Sequence, residues 1–439
     1  MSISTDEMYN SHSRFIHKKF VIHFSASEIL EVSKSDYLVQ SSILEESFKL
    51  SDSPFGEVTS NELTLTLFNE DGMFNPANNK GKYYGLIKKG IKIEAFVKVD
   101  EVDEWSRLGV FYVTNWVANS GGISASITAY DILYNVINGS VPSFPVYRNV
   151  EFNEFINDYF EYFNITDVEV DTSINWIIPY AYTSAYSSNK EFLSDLMIGA
   201  LADCFCNHDG IVVIKSKSSN RPLRATLTDD DQVISMSIKQ SIDTDYDSVN
   251  VTCNIGQESS EQSLLSVSDI KVSVGNNGSG KLVLNSQPAL SIKSIKTEGS
   301  NAVTIPSFNA SANEFECILH STAVTNTSLD VFGTVLETVS SNIGELGDAP
   351  LSVDSRYVQD SSKANEILKY AEDYVKASVP TLEVTARGNP NLQLGDKIAI
   401  ESEFYKINYT GIIVKAEYKY TGNLSAVLTL IDASSLKEV

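Results

Sequence analysis

Period-two alternation of apolar and polar residues recurs along most of the chain and constrains it more than any other feature, because a strand with one buried face produces that pattern. Residues 62–67 read Glu-Leu-Thr-Leu-Thr-Leu, and residues 91–99 read Ile-Lys-Ile-Glu-Ala-Phe-Val-Lys-Val. A further pair, 107–113 and 122–130, flanks the turn formers Asn119, Ser120, Gly121 and Gly122. Residues 20–136 therefore predict strand after strand, folded into a small antiparallel sheet or barrel. Between two of the strands, Asn69-Glu70-Asp71-Gly72-Met73-Phe74-Asn75-Pro76 and the Asn-Lys-Gly run after it are dense in turn formers and predict a loop.

After Pro142 the period changes. Residues 150–163 place Phe152, Phe155, Ile156, Tyr159, Phe160 and Phe163 at helical spacing. Residues 189–206 do the same with Phe192, Leu193, Leu196, Met197, Ala200 and Leu201, so a second amphipathic helix is expected up to the polar turn Asn207-His208-Asp209-Gly210. A buried strand is expected at 211–215. Strands resume from 225 to 251, and 258–350 is rich in Ser, Asn, Thr and Val with short alternating runs, as in an inserted all-β domain. Residues 354–378 carry one helical stripe that Pro380 ends, and strands follow from 381 to 431. A chain of 439 residues suggests two to four domains. The patterns divide it into a first barrel domain (1–136), an α/β domain with two amphipathic helices (137–225), strands returning to the barrel region (226–257), an inserted β-rich domain (258–350), and a helix plus a second barrel (351–439).

Several residue groups suggest chemistry, and each has a plainer reading. Gly275-Asn-Asn-Gly-Ser-Gly280-Lys281 has the spacing of a phosphate-binding loop, but Leu282 stands where a magnesium-holding Ser or Thr belongs, and strands flank it, so a hairpin turn is expected. Cys204, Cys206 and His208 are close in sequence, but the one-residue spacing is wrong for a zinc knuckle, and Cys253 and Cys317 are solitary. Small buried cysteines at the end of a core helix are expected there. Asp229-Asp230-Asp231 lacks the spacing of a calcium loop and reads as a solvated turn. No Gly-x-Ser-x-Gly elbow and no His-x-x-x-His pattern is present. The sequence thus predicts no catalytic residues, no cofactor and no metal.

Charge narrows the function further. Lys plus Arg number 33 against 57 Asp plus Glu, a net charge of −24. A broad grip on nucleic acid or anionic lipid needs clustered cations, so those functions are disfavoured. The first twenty residues hold no apolar core of signal-peptide length, which predicts synthesis and folding in a cytoplasm. The most apolar stretch, 192–205, is broken by Ser194, Asp195 and Asp203, so no membrane insertion is expected. Four cysteines in a chain of this length fit a reducing compartment.

Phrases at both ends resemble one family. Residues 61–93 contain Leu-Thr-Leu-Thr-Leu-Phe-Asn-Glu-Asp-Gly-Met-Phe-Asn-Pro and then Tyr83-Tyr84-Gly85-Leu86-Ile87-Lys88-Lys89-Gly90. With Leu108-Gly-Val-Phe-Tyr-Val-Thr114 and Ile127-Thr-Ala-Tyr-Asp131, these are similar to the first barrel of the bacteriophage tail baseplate hub family. Arg387-Gly388-Asn389-Pro390-Asn-Leu392-Gln-Leu394-Gly395-Asp396-Lys-Ile398 is similar to that family's last barrel, which likewise follows a long helix. The resemblance covers about 20–255 and 354–432, and no phrase in 258–350 belongs to it.

The patterns thus predict an α+β, mainly β fold with two small antiparallel β-barrels, a central α/β domain and an inserted β-rich domain, and the resemblance implies that the two barrels are tube-like. It implies a non-enzymatic homotrimer at the virion tail tip, adapting a sixfold tail tube to a threefold spike or fibre. The implied partners are the tail tube or distal tail protein, the tape measure protein, and the spike or fibre, with viral DNA passing the lumen unbound. A negative lumen wall would suit that passage, and plain solubility explains the same charge. Asn69, Asp71, Phe74, Asn75, Pro76, Tyr83 and Tyr84 form a candidate interface loop; Gly388, Asn389, Pro390, Leu394, Gly395 and Asp396 are the family-motif positions of the last barrel. The alternatives are a peptidoglycan hydrolase at the tail tip, whose only His and Cys in the insertion are His320 and Cys317, a receptor- or glycan-binding protein, or a distal tail protein.

Overall fold

A computed structural model describes residues 9, 14–33, 37–47, 55, 57–100, 103–119, 123–217, 221–229, 233–239, 246–284, 287–299, 302–377 and 381–433. Seven strands open the chain: β1 (Ile16–His23), β2 (Ile29–Ser33), β3 (Leu38–Glu46), β4 (Glu62–Phe68), β5 (Lys92–Val99), β6 (Ser106–Asn119) and β7 (Ser124–Tyr130). Each sends alternate side chains inward as the sequence pattern requires: Leu63, Leu65 and Leu67 from β4, and Ile93, Ala95, Val97 and Val99 from β5, are fully buried. A short helix, α1 (Ile132–Ile137), follows β7, and Asp131 caps it by accepting from the Leu133 N–H.

The middle of the chain mixes helices with short strands: β8 (Tyr147–Glu151), α2 (Phe152–Tyr162), β9 (Val168–Val170), β10 (Ile177–Ala181), α3 (Asn189–Ala200), β11 (Ala202–Cys206) and β12 (Val212–Ser216). Phe152, Phe155, Ile156, Tyr159 and Phe160 of α2 pack with Phe192, Leu193, Leu196 and Met197 of α3 in a separate core. The second helix is shorter than its periodicity suggests. It stops at Ala200, Leu201 takes the left-handed conformation (φ 48°), and residues 202–206 are a strand. All five residues of that strand are buried, so it shows no alternation and reads in sequence as a continuation of the helix. Cys204 and Cys206 therefore sit in a buried strand rather than at a helix end.

The chain then returns to the first sheet. Strand β13 (Leu223–Thr228) and strand β14 (Val233–Lys239) precede a long ribbon made of β15 (Ser248–Glu258) and a later partner. The intervening strands are β16 (Gln262–Val272), β17 (Gly275–Gly278), β18 (Leu282–Val283), β19 (Ala289–Glu298), β20 (Val303–Ala310) and β21 (Glu314–Ser321). The ribbon's other half is β22 (Thr325–Gly344), whose C-terminal part pairs with β15 and whose N-terminal part pairs with β16 and β19. Strands β17, β18 and β20 all pair with β21 in a separate sheet, whose Phe315, Cys317 and Leu319 share one core with Leu264 of β16 and Leu329 and Val331 of β22. Strand β23 (Pro350–Asp354) adds to β15 in parallel, so the next helix, α4 (Ser361–Ala377), begins later than the stripe at 354–378 suggests. Its buried residues Ala364, Ile367, Tyr370 and Ala371 pack with Val249, Val251, Leu351 and Val353.

Four strands finish the chain: β24 (Thr381–Arg387), β25 (Lys397–Ser402), β26 (Ile407–Tyr420) and β27 (Leu424–Asp432). They do not form a sheet of their own. The order β14-β24-β27-β26-β3-β4-β7-β6-β5-β1-β2 is one continuous sheet, with β25 on β26 and β13 on β25, 13 strands in all. The joint is β26 against β3, in register from Lys415↔Glu46 to Tyr420↔Ser41. Both ends of the chain share one hydrophobic cluster, which includes Phe20, Leu65 and Ile127 with Leu382, Ile400 and Leu428. The whole is α+β and mainly β.

Candidate functional site: the loop of the first sheet and the joint between the chain ends

Residues 69–84 are built from successive tight turns. The N–H of Gly72, Asn75, Asn78, Gly81 and Tyr84 each donates to the carbonyl three residues earlier, at 2.9–3.2 Å. Side chains reinforce the series, because Asp71, Asn75 and Asn78 each accept from the N–H two residues on, at 3.0–3.1 Å. Asn69 Oδ1 takes the Phe74 N–H at 2.9 Å and turns the Phe74 ring inward. Phe74 stacks on Tyr83 (centroids 5.8 Å apart), Tyr83 stacks on Phe24 (4.2 Å), and Trp116 Nε1 donates to the Phe74 carbonyl at 3.0 Å. Of the expected interface residues, Phe74, Tyr83 and Asn69 are therefore inside, Asn75 is half-buried, and Asp71, Pro76 and Tyr84 face solvent. The surface available to a neighbour is narrower than the sequence suggests and centres on the exposed ring of Tyr84.

The motif residues near the C-terminus make a buried turn between β24 and β25. Tyr418 Oη donates to the Leu392 carbonyl at 2.7 Å, Gln393 N donates to Asp396 Oδ2 at 2.9 Å, and Gly395 N donates to the Ile413 carbonyl at 2.7 Å. Gly395 has φ +77°, and a Cβ there would lie 2.9 Å from Lys215 Cδ, so two requirements select glycine. Gly388, Asn389, Pro390 and Leu394 are buried, and a Cβ on Gly388 would lie 2.5 Å from Leu424 Cγ. Burial holds the Asp396 carboxyl above the usual carboxylate range despite the Gln393 N–H and the charge of Lys215.

His208 ties this turn to both other regions. Its Nδ1 lies 3.0 Å from the Pro390 carbonyl, which makes Nδ1 the protonated nitrogen, and its Nε2 lies 2.9 Å from Glu45 Oε1 on β3. The Nε2 contact is close but poorly angled for a hydrogen bond, so the attraction there is mainly of charge. Both side chains are buried. Burial pulls the imidazole toward its neutral form, and the Glu45 carboxylate, the Pro390 carbonyl and Asp396 outweigh it, leaving His208 above its ordinary value. The sequence placed His208 beside Cys204 and Cys206; nothing local points to its partner, which lies in a distant strand.

The remaining sequence candidates have structural partners. Cys206 and Cys204 have thiols raised by burial, the state of inert core cysteines. Beside them Asp131, pushed up to about 7 by burial, accepts from Asn61 N (2.7 Å) and Leu133 N (3.0 Å). The hairpin turn expected at 275–281 is not formed: Gly275–Gly278 is strand β17 on β21, residues 279–281 interrupt the pairing, β18 resumes along β21, Lys281 Nζ lies 3.1 Å from Glu314 Oε2, and no helix follows. Asp229 accepts from the Ser402 hydroxyl (2.8 Å) and the Phe404 N–H (3.0 Å), while Asp230 and Asp231 lie outside the described residues. His320 faces Asn276 Oδ1 at 2.8 Å, and Cys317 is buried. Among the described residues no three metal-ligating side chains converge. A cleft of about 610 Å³ between α3 and the β15–β22 ribbon includes Tyr186, Asp195, Asp354 and Arg356. Its buried carboxyl, Asp195, is occupied by the Tyr186 hydroxyl and the Arg356 N–H.

A mainly β chain whose two ends share one sheet, with helices and further β sheets between them, is similar in fold to two tail proteins. The structure aligns with the 43 kDa tail protein of prophage MuSo2 from Shewanella oneidensis at a TM-score of 0.55 and 11% identity, covering 96% of this chain and 100% of that one. It aligns with the tail protein from Neisseria meningitidis MC58 at a TM-score of 0.56 and 9% identity, covering 96% and 99%. At such identities the likeness is one of fold. No protein-family model matches the sequence, and no curated protein matches it.

Proposed function

We propose that this protein is the structural, non-enzymatic hub of a phage tail tip. In this reading it is a homotrimer in the virion, and each subunit contributes two tube-like β-barrels, β1–β7 and β24–β27 with β13 and β14, to a ring of six. The barrels flank an α/β domain (137–225) and an insertion (258–350), a division supported by the separate hydrophobic cores of those regions. The ring adapts the sixfold tail tube or distal tail protein, with the tape measure protein, to a threefold spike or fibre. Viral DNA passes its lumen, and part of the −24 charge lines that wall.

The observation that carries the proposal is the fold shared over essentially the full length of two tail proteins, one of them from a prophage. The sheet's outer strands support assembly. β2 and β14 each have one paired edge among the described residues, and Ile29, Ile234 and Ile238 are exposed on them. Light scattering on the purified protein, alone and with neighbouring tail proteins, tests it. A trimer is expected, a hexamer would point to a tube or distal tail protein, and a monomer that never assembles would refute the structural reading.

A further inference from the structure

Lys18 lies on β1 and points to the core side with Ile16, Phe20 and Ile22. It is 1% exposed, its Nζ donates to Ser41 Oγ at 2.9 Å, and it lies over the rings of Phe20 (5.2 Å) and Tyr420 (5.8 Å). Among the described residues it has no carboxylate partner, whereas the other buried lysines do: Lys217 sits 2.5 Å from Asp203 and Lys363 sits 2.7 Å from Glu366. A buried ammonium without a counter-ion is unfavourable, and two aromatic faces with one hydroxyl offset only part of that cost.

The space beside Lys18 has a matching character. A cavity of about 900 Å³ is lined by Lys18 together with Arg14, Phe15, Lys98, Trp105 and Tyr420, and among the described residues no Asp or Glu lines it. That is unusual in a chain with 57 acids and 33 bases. Arg14 is held in place by the carbonyls of Gly388 (2.9 Å) and Leu424 (3.1 Å), and Lys98 lies 5.7 Å over the Trp105 ring. The size is that of a small-ligand pocket, with apolar walls and a few convergent cations.

We propose that this cavity binds a carboxylate carried on an aromatic or apolar group, with Lys18 as the counter-ion and Trp105 and Phe15 as the apolar wall. A monoanion fits better than phosphate. One buried ammonium balances one charge, and a dianion would keep a second charge against apolar side chains.

Calorimetric titration of the full chain tests the site with two probes, benzoate and the blocked dipeptide acetyl-Phe-Glu-amide. Saturable binding of one probe per chain is expected, at least tenfold tighter than inorganic phosphate and at least tenfold weaker in Lys18→Met. Burial holds Lys18 at about 7, and a bound carboxylate restores its charge, so binding at pH 8 takes up a proton. The heat then depends on the buffer's ionisation enthalpy. Arg14, Lys98, Tyr420 and His17, which pairs with Asp100, share the cavity, so loss of the uptake in Lys18→Met assigns it to Lys18. Binding of the dipeptide alone means that a partner chain supplies the carboxylate; binding of benzoate means that a free molecule suffices. Failure of both probes to saturate, or wild-type binding without proton uptake at pH 8, overturns the proposal. So does unchanged affinity in Lys18→Met or equal affinity for phosphate.

Discussion

Replacing Glu45 by Gln tests the joint between the chain ends with little change of shape. In the native protein the Glu45 carboxylate, 2.9 Å from His208 Nε2, keeps the buried imidazole charged above its ordinary range. Because the folded imidazole titrates above its unfolded value, this stabilisation is complete below about pH 6.5 and is lost as pH rises through the folded value. In the Glu45→Gln protein the leading influence left on His208 is burial, which favours the neutral ring. At pH 5.5 that ring is neutralised against the solution, at about 1.4 kcal/mol for each pH unit below its ordinary value, in addition to the native stabilisation that is lost. Where pH exceeds the raised folded value the native imidazole is neutral beside the Glu45 carboxylate, and the amide costs least there. Urea unfolding followed by tryptophan fluorescence across pH 5.5 to 9 measures the difference between the two proteins, in which the other titrating groups cancel. The expected loss is about 1–3 kcal/mol at pH 5.5 and shrinks as pH rises toward 9. An equal loss at both ends of the range would refute an ion pair at His208.

Phe74→Ala removes a fully buried ring from the stack with Tyr83 and is expected to cost about 3–5 kcal/mol in chemical unfolding; a loss under about 1 kcal/mol would mean that the loop is not packed. Tyr84→Ser, ten residues on, removes an exposed ring and is expected to leave stability within about 0.5 kcal/mol while weakening self-association in light scattering. If association is unchanged, Tyr84 is not an interface residue. Gly395→Ala combines a positive φ with a close approach to Lys215 and is expected to lower stability by about 1–3 kcal/mol, read as a drop in Tm.

Alternation in the sequence specified the faces of the strands well. Leu63, Leu65 and Leu67, or Leu382, Val384 and Ala386, point inward because a pleated strand sends successive side chains to opposite sides, whatever its neighbours are. The stripes of α2, α3 and α4 were legible for the same local reason. Where burial is complete the signal fails, as at Ala202–Cys206, and the helix before that strand looks longer than it is. The turn formers at 69–84 marked a loop correctly, but neither their composition nor that of 388–396 revealed that Phe74, Tyr83 and Pro390 face inward.

What the sequence determined by itself is the class: a mainly β chain with a helical centre, acidic, and phrased at both ends like a phage tail protein. Tertiary structure alone decided that the two ends form one sheet through β26 and β3, that His208 meets Glu45, and that Lys18 stands beside a basic cavity without a carboxylate partner among the described residues. The physical reason is range. Side-chain period tells each strand which face to bury, whereas the choice of neighbouring strand, and of a charge's partner, is settled between residues far apart in the chain when the whole core closes.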